Sequence, residues 1–186
     1  LRLSSFLNLP ARKLTADQKQ LISLGRGLVR EDVAGVLMDE PLTVTDPDLK
    51  FRLRRNLKEI NEQYKTTLVY VTHDQNEAMT FADNIIVMDQ GEIVQVGLPK
   101  DLFERPKTTF VGYFIGSPAM NIFESEVSSD YSVKINNIEI KTNSNLSKIK
   151  DKNVKLGIRS EFINVAEKEG QNTIKALLTR VEDFGN

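Results

Sequence analysis

Cysteine is absent from the 186 residues, and histidine occurs once, as His73. The first absence excludes disulfides, thiolate nucleophiles and Cys-ligated metals. The second excludes any centre built on two imidazoles. An excess of one charge is also missing: 25 Lys+Arg against 26 Asp+Glu leave a formal net charge of -1. Without a basic field, no nucleic-acid partner or anionic lipid surface is expected. No apolar run approaches the roughly 18 residues needed to cross a bilayer, and no charged-then-apolar leader pattern opens the chain. What is present is ordinary for a globular protein, 40% hydrophobic and 27% charged, in a length sufficient to bury a core. Leu1 at the start and the turn-like Phe184-Gly185-Asn186 at the end suggest a piece of a longer protein.

The apolar pattern predicts alternating helices and strands. Leu21, Ile22, Leu24, Leu28 and Val29 share a helical face over 16–30, and Thr15 with Gln18 has the spacing of a capping box. The continuous run Val33–Met38 predicts a strand buried on both faces and ended by Asp39-Glu40-Pro41. Asp46 and Pro47 then suit an N-cap and first turn, followed by a stripe of Leu49, Leu53, Leu57 and Ile60. Thr67–Val71 predicts a second buried strand, after which Asp74 with Glu77 can cap a helix carrying Ala78, Met79, Phe81 and Ala82. This alternation implies a parallel sheet. Ile85–Met88 and Ile93–Val96 flank Asp89-Gln90-Gly91-Glu92 as a hairpin would, and short helices are expected at Asp101–Arg105 and Thr108–Ile115.

The α/β part closes near Pro118. From Met120 onward Val133, Ile135, Ile138, Ile140, Val154, Leu156, Ile158, Ile163 and Val165 fall in short alternating stretches, which predict an all-β region. The polar, Lys-rich 143–152 segment is expected to be a solvated loop.

In open α/β sheets, ligands gather at the carboxyl ends of the strands, where both Asp39 and His73 are expected. A carboxylate there can hold Mg2+ directly or through water. Glu40 can polarise or orient an attacking water. His73 suits hydrogen bonding to a phosphoryl oxygen better than metal binding. Taken singly, Asp39-Glu40 also reads as a structural turn or helix cap.

The ordered set Leu14-Thr15-Ala16-Asp17-Gln18, Val36-Leu37-Met38-Asp39-Glu40-Pro41, Asp46 and Val71-Thr72-His73-Asp74 resembles the signature motif, Walker B, D-loop and H-loop of ABC-transporter ATPases. Tyr70–Gln75 with Glu77-Ala78-Met79, and Phe114–Asn121, look like ATPase subunits of bacterial carbohydrate importers, and Leu156–Arg159 with Glu161 resembles the start of their OB-like regulatory domain. The resemblance implies an α/β fold, the parallel-sheet core of an ABC ATPase over 1–118, followed by a partial all-β OB-like domain over 119–186. It implies ATP and Mg2+, with Asp39 supporting the metal, Glu40 acting on the hydrolytic water and His73 contacting the γ-phosphate. Thr15, Ala16, Asp17, Gln18 and Asp46 would meet nucleotide across a dimer interface. The implied partners are a second ATPase subunit and membrane permease subunits, with the chain peripheral at the cytoplasmic face.

Two departures accompany the resemblance. None of the ten glycines is followed by lysine, so the phosphate-cradling G-x-x-x-x-G-K-[ST] loop is absent from this sequence. Ala16-Asp17 also replace the paired glycines usual in Leu-Ser-Gly-Gly-Gln. Glycine lets a backbone approach phosphate closely, whereas Asp17 would repel it. Together with Leu42–Pro47, this degenerate signature looks most like glycerol-type importers that pair two unlike ATPase subunits. The alternative is a degenerate partner that dimerises or regulates without hydrolysing ATP.

Overall fold

The computed structural model describes residues 3–30, 33–43 and 47–181. Its Cα packing divides the chain into two units, Leu1–Asp101 and Leu102–Asn186.

In the first unit, a 3-10 turn at Leu3–Phe6 and another at Ala11–Lys13 precede helix α1 (Ala16–Leu28). The expected capping box is formed: Gln18 N–H donates to Thr15 Oγ1 at 3.3 Å, and Thr15 N–H to Gln18 Oε1 at 3.0 Å. Strand β1 (Gly35–Asp39) leads through α2 (Pro47–Tyr64) to β2 (Thr67–Val71), and the strands pair in parallel from Gly35↔Thr67 to Asp39↔Val71. Pro47 is the first helical residue of α2, as its fixed φ favours. Leu24 of α1, Met38 of β1 and Leu57 of α2 form one buried cluster, and Leu21, Leu42 and Leu53 another. Tyr70 packs against both, with its ring 5.1 Å from that of Phe81.

The expected burial of both faces of β1 and β2 does not hold. Met38 is buried, while Leu37, Val69 and Val71 on the alternate positions are 73%, 50% and 47% exposed. An apolar run encodes two apolar faces, but among the described residues the sheet has only these two strands and its buried clusters draw on one face. Val29 likewise leaves the predicted apolar stripe of α1: it is the C-cap, 75% exposed.

Helix α3 (Gln75–Phe81) follows β2, then the hairpin of β3 (Ile85–Asp89) and β4 (Glu92–Gly97). Its tip places Gln90 at φ 48° and Gly91 at φ 84°, the left-handed pair that a two-residue turn needs to match strand twist. Helix α4 (Pro99–Glu104) runs across the division between the units.

The second unit contains α5 (Thr109–Phe114), N-capped by Thr108, and an antiparallel sheet of β5 (Asn121–Ser129), β6 (Ser132–Ile135), β7 (Ile138–Lys141) and β8 (Asn153–Ile158), in the order β7-β6-β5-β8. Val133, Ile135 and Ile140 form its core. The 143–152 segment between β7 and β8 is a loop, as its polarity predicts. Ile163 and Val165, expected in strands, lie beyond a 3-10 turn at Ser160–Phe162, and Val165 is fully exposed. Two apolar residues in a polar stretch imitate alternation, but among the described residues no strand pairs with them.

Arg159 is buried at 4% exposure. Its guanidinium donates to Phe103 O from Nε (3.3 Å) and Nη2 (2.9 Å), and from Nη1 to Gly112 O (2.9 Å) and Ile115 O, while lying 4.2 Å from the Phe103 ring centroid. It thereby satisfies carbonyls at the C-terminal ends of α4 and α5. A Cβ on Gly116 would stand 2.6 Å from Nη1, and φ there is 115°, so this position favours glycine twice over.

Candidate active site at the strand ends

Asp39 ends β1, Glu40 follows it, and His73 lies two residues beyond β2. Parallel pairing in register brings the two strand ends side by side: Glu40 N–H donates to Val71 O at 2.9 Å. The Glu40 side chain turns toward His73, whose backbone N–H donates to Glu40 Oε1 at 3.0 Å and whose ring Nδ1 lies 2.6 Å from the same oxygen. An ionised carboxylate only accepts, so Nδ1 carries the proton in this contact. Thr43 Oγ1 donates to Glu40 Oε2 at 3.1 Å and to its carbonyl at 2.9 Å.

Glu40 has φ 47°, in the left-handed region, a conformation costing a non-glycine residue about 1–2 kcal/mol. Such strain persists only where surrounding contacts over-determine it. Besides Thr43 and Val71, Gln20 Nε2 of α1 donates to Glu40 O (3.4 Å) and Pro41 O (2.5 Å). The hydrogen bond from His73 holds the Glu40 carboxyl below its ordinary value, and the same bond to Glu40 raises the His73 imidazole above its own.

Asp39 is exposed beside this pair. Among the described residues no three His, Cys, Asp or Glu side chains converge as a metal cage. One carboxylate completed by substrate phosphates and water is a common way to hold Mg2+, so Asp39 fits as a single ligand and not as part of an all-protein site.

The remaining candidates are separate in kind. Thr15, Asp17 and Gln18 line a cleft with Phe6, Arg52 and Asn56, and Ala16 opens α1 beside them. The capping box already occupies the Gln18 amide and ties Thr15 to Gln18. An anion at this helix start would therefore compete with it for donors. Asp46 lies outside the described residues.

Reasoning from sequence missed how the His73 segment is held. Asp74 caps α3 alone, its Oδ1 accepting from Asn76 N–H (2.9 Å) and Glu77 N–H (3.4 Å). Glu77, expected to share the cap, is instead 3% exposed. Its Oε2 accepts from Tyr70 OH (2.8 Å) and Thr72 Oγ1 (3.0 Å), and its Oε1 pairs with Lys50 Nζ (3.2 Å) and Arg54 Nη1 (3.6 Å) of α2. Burial and this carboxylate push the Tyr70 phenol up from its ordinary value. The available signal was the i, i+2 spacing of Tyr70, in β2, and Thr72, just past its end, with Glu77 a few residues on.

Comparison with known proteins shows what the chain is similar to. Residues 116–163 match the family model described as the MalK OB fold domain. The chain is homologous to ATP-binding proteins of ABC importers, and its fold is the corresponding α/β parallel-sheet core followed by an OB-like region.

Several of its relatives are named as sugar or glycerol-phosphate import proteins. They include the oligosaccharides import ATP-binding protein MsmX of Bacillus subtilis, 38% identical across 100% of this chain and 53% of the relative. The sn-glycerol-3-phosphate import ATP-binding protein UgpC of Psychromonas ingrahamii is 39% identical over 90% of this chain and 44% of its own length. The trehalose/maltose import ATP-binding protein MalK of Thermococcus litoralis is 37% identical over 100% and 53%. The chain thus spans about half the length of the curated relatives it matches.

Proposed function

We propose that this chain is part of the ATP-binding and ATP-hydrolysing subunit that energises an ABC importer for a sugar or a polyol such as glycerol. Residues 1–118 would be the C-terminal part of its nucleotide-binding domain and 119–186 its regulatory domain. The subunit would sit at the cytoplasmic face of the membrane on permease subunits, beside a second, unlike ATPase subunit. The observation that carries this proposal is the 2.6 Å contact between Glu40 and His73 at adjacent parallel strand ends.

Phosphoryl transfer asks a protein chiefly for positioning and charge stabilisation. Glu40, with its basicity lowered by His73, would orient the attacking water as an acceptor rather than remove its proton outright. Because Nδ1 donates to Glu40, Nε2 carries a proton only on the charged ring. His73 would therefore meet the γ-phosphate as an imidazolium, the form that its raised pKa favours. Asp39 would hold Mg2+, which neutralises phosphate charge when bound. Thr15, Ala16, Asp17, Gln18 and Asp46 would face nucleotide held by the opposite subunit.

The test is steady-state ATP turnover by the assembled importer carrying His73→Ala. A loss of about tenfold or more is expected, and unchanged turnover would contradict the assignment. The 186-residue chain alone is expected to bind MgATP weakly or not at all by titration calorimetry, because it lacks the phosphate loop.

Ala16-Asp17 favours a second reading, a degenerate partner that dimerises and regulates while another subunit hydrolyses. Asp17 would place like charge against a phosphate, and the engaged capping box withholds a donor there. Restoring glycines with Ala16→Gly and Asp17→Gly, then measuring turnover per transporter, separates the two. A rise to two active sites supports the catalytic, asymmetric version. No change, together with unaltered turnover in Glu40→Gln, supports the regulatory one.

A further inference from the structure

His73 is 75% exposed, and an exposed imidazole does not hold a 2.6 Å contact by its own packing. Its two neighbours in the chain are fixed instead. Thr72 Oγ1 accepts the backbone N–H of Asp74 at 3.0 Å, and its own hydroxyl proton goes to Glu77 Oε2 at 3.0 Å. The hydroxyl therefore has one rotamer that satisfies both partners, and Asp74 is further tied down as the α3 cap. Glu77 is fixed in turn by Lys50 and Arg54 of α2 and by Tyr70 OH. A buried carboxylate with two hydrogen bonds on Oε2 and two ion-pair contacts on Oε1 is costly to move, because breaking them leaves its own desolvated charge unpaired.

We propose that Thr72 and Glu77 are a positioning pair for His73: Glu77, anchored to α2, orients the Thr72 hydroxyl, which fixes the peptides flanking His73 so that both its N–H groups reach Glu40 Oε1. The catalytic meaning of the pair rests on the proposed ATPase function, whereas its geometry does not. Neither residue touches Glu40 or the imidazole, so their action passes through the backbone. Tyr70 supplies an internal comparison. Its hydroxyl is held by the same Glu77 oxygen at 2.8 Å, and it is not among the groups that bond to the segment 72–74.

With one histidine in the chain, the imidazole titration followed by NMR belongs to His73 without assignment. The charged groups bearing on that titration are Glu40 and Asp74, which raise it, and Lys50, which lowers it. The substitutions Thr72→Val, Thr72→Ser, Tyr70→Phe and Glu77→Asp leave formal charge unchanged, so a shift reports geometry. The expected result is that Thr72→Val returns the His73 pKa toward its ordinary 6.5, Thr72→Ser retains the wild-type value, and Tyr70→Phe shifts it less than Thr72→Val does, because Lys50 and Arg54 still hold Glu77 and the Thr72 hydroxyl remains. Glu77→Asp, whose carboxylate is one methylene short, is expected to shift in the same direction as Thr72→Val.

The proposal is overturned if Thr72→Val or Glu77→Asp leaves the titration unchanged, or if Tyr70→Phe shifts it as far as Thr72→Val does. The titration needs no nucleotide, so it separates from the ATPase question. Turnover of the assembled importer carrying Thr72→Val is the second readout. Shifted titration with normal turnover would retain the pair and remove His73 from catalysis.

Discussion

A single oxygen, Glu40 Oε1, receives both the backbone N–H and the ring Nδ1 of His73, at 3.0 and 2.6 Å. The carboxylate and imidazole therefore titrate as partners. The raised pKa of His73 means that its contribution to stability is fully present below the ordinary 6.5 and is lost as pH rises through the higher folded-state value. The lowered pKa of Glu40 gives a contribution present above the ordinary 4.5 and lost as pH falls through the lower folded-state value. Thermal melting of wild type against Glu40→Gln should therefore differ most between pH 4.5 and 6.5 and converge well above the folded His73 pKa. The same substitution should return the His73 titration toward 6.5 in NMR.

The covered and exposed faces of the β1–β2 sheet give a contrast, one packed against Leu57 of α2 and the other carrying Leu37. Leu57, fully buried between the helices and the strands, should cost about 2–5 kcal/mol on truncation to Ala. Leu37, 73% exposed on the other face, should change stability by less than about 0.5 kcal/mol. Urea unfolding of the two variants measures both.

Arg159 and Gly116 are expected to behave as one structural unit. Arg159→Met strips the donors from three carbonyls in a buried place and should cost about 3 kcal/mol. Gly116→Ala meets both a positive φ and the guanidinium, so it should also destabilise. The double variant should cost less than the sum, because the guanidinium that the added methyl group would strike is already gone. Chemical denaturation of the three variants checks the coupling.

Local signals were legible where one neighbour decides the structure. The Thr15 and Gln18 capping box, the Gln90-Gly91 turn and the bounds of β2 all follow from residues a few positions apart. The nearness of Glu40 and His73 was also readable, since both follow strands expected to be parallel. Burial of the second face of β1 was not, because a run of apolar residues says what a strand could cover and not what is there to cover it. Glu77 was misread because an acid three residues after an N-cap looks the same whether it turns back to the cap or inward to Tyr70, Thr72, Lys50 and Arg54. Only the tertiary placement of α2 decides between them.

The central claim is that Glu40 acts on the hydrolytic water. Its most direct test is ATP binding and steady-state turnover in the assembled importer carrying Glu40→Gln, which keeps shape and removes charge. Retained nucleotide binding with turnover reduced about 100-fold or more is the expected result. Near-normal turnover would contradict the claim and leave Glu40 as a strained structural cap at the end of β1.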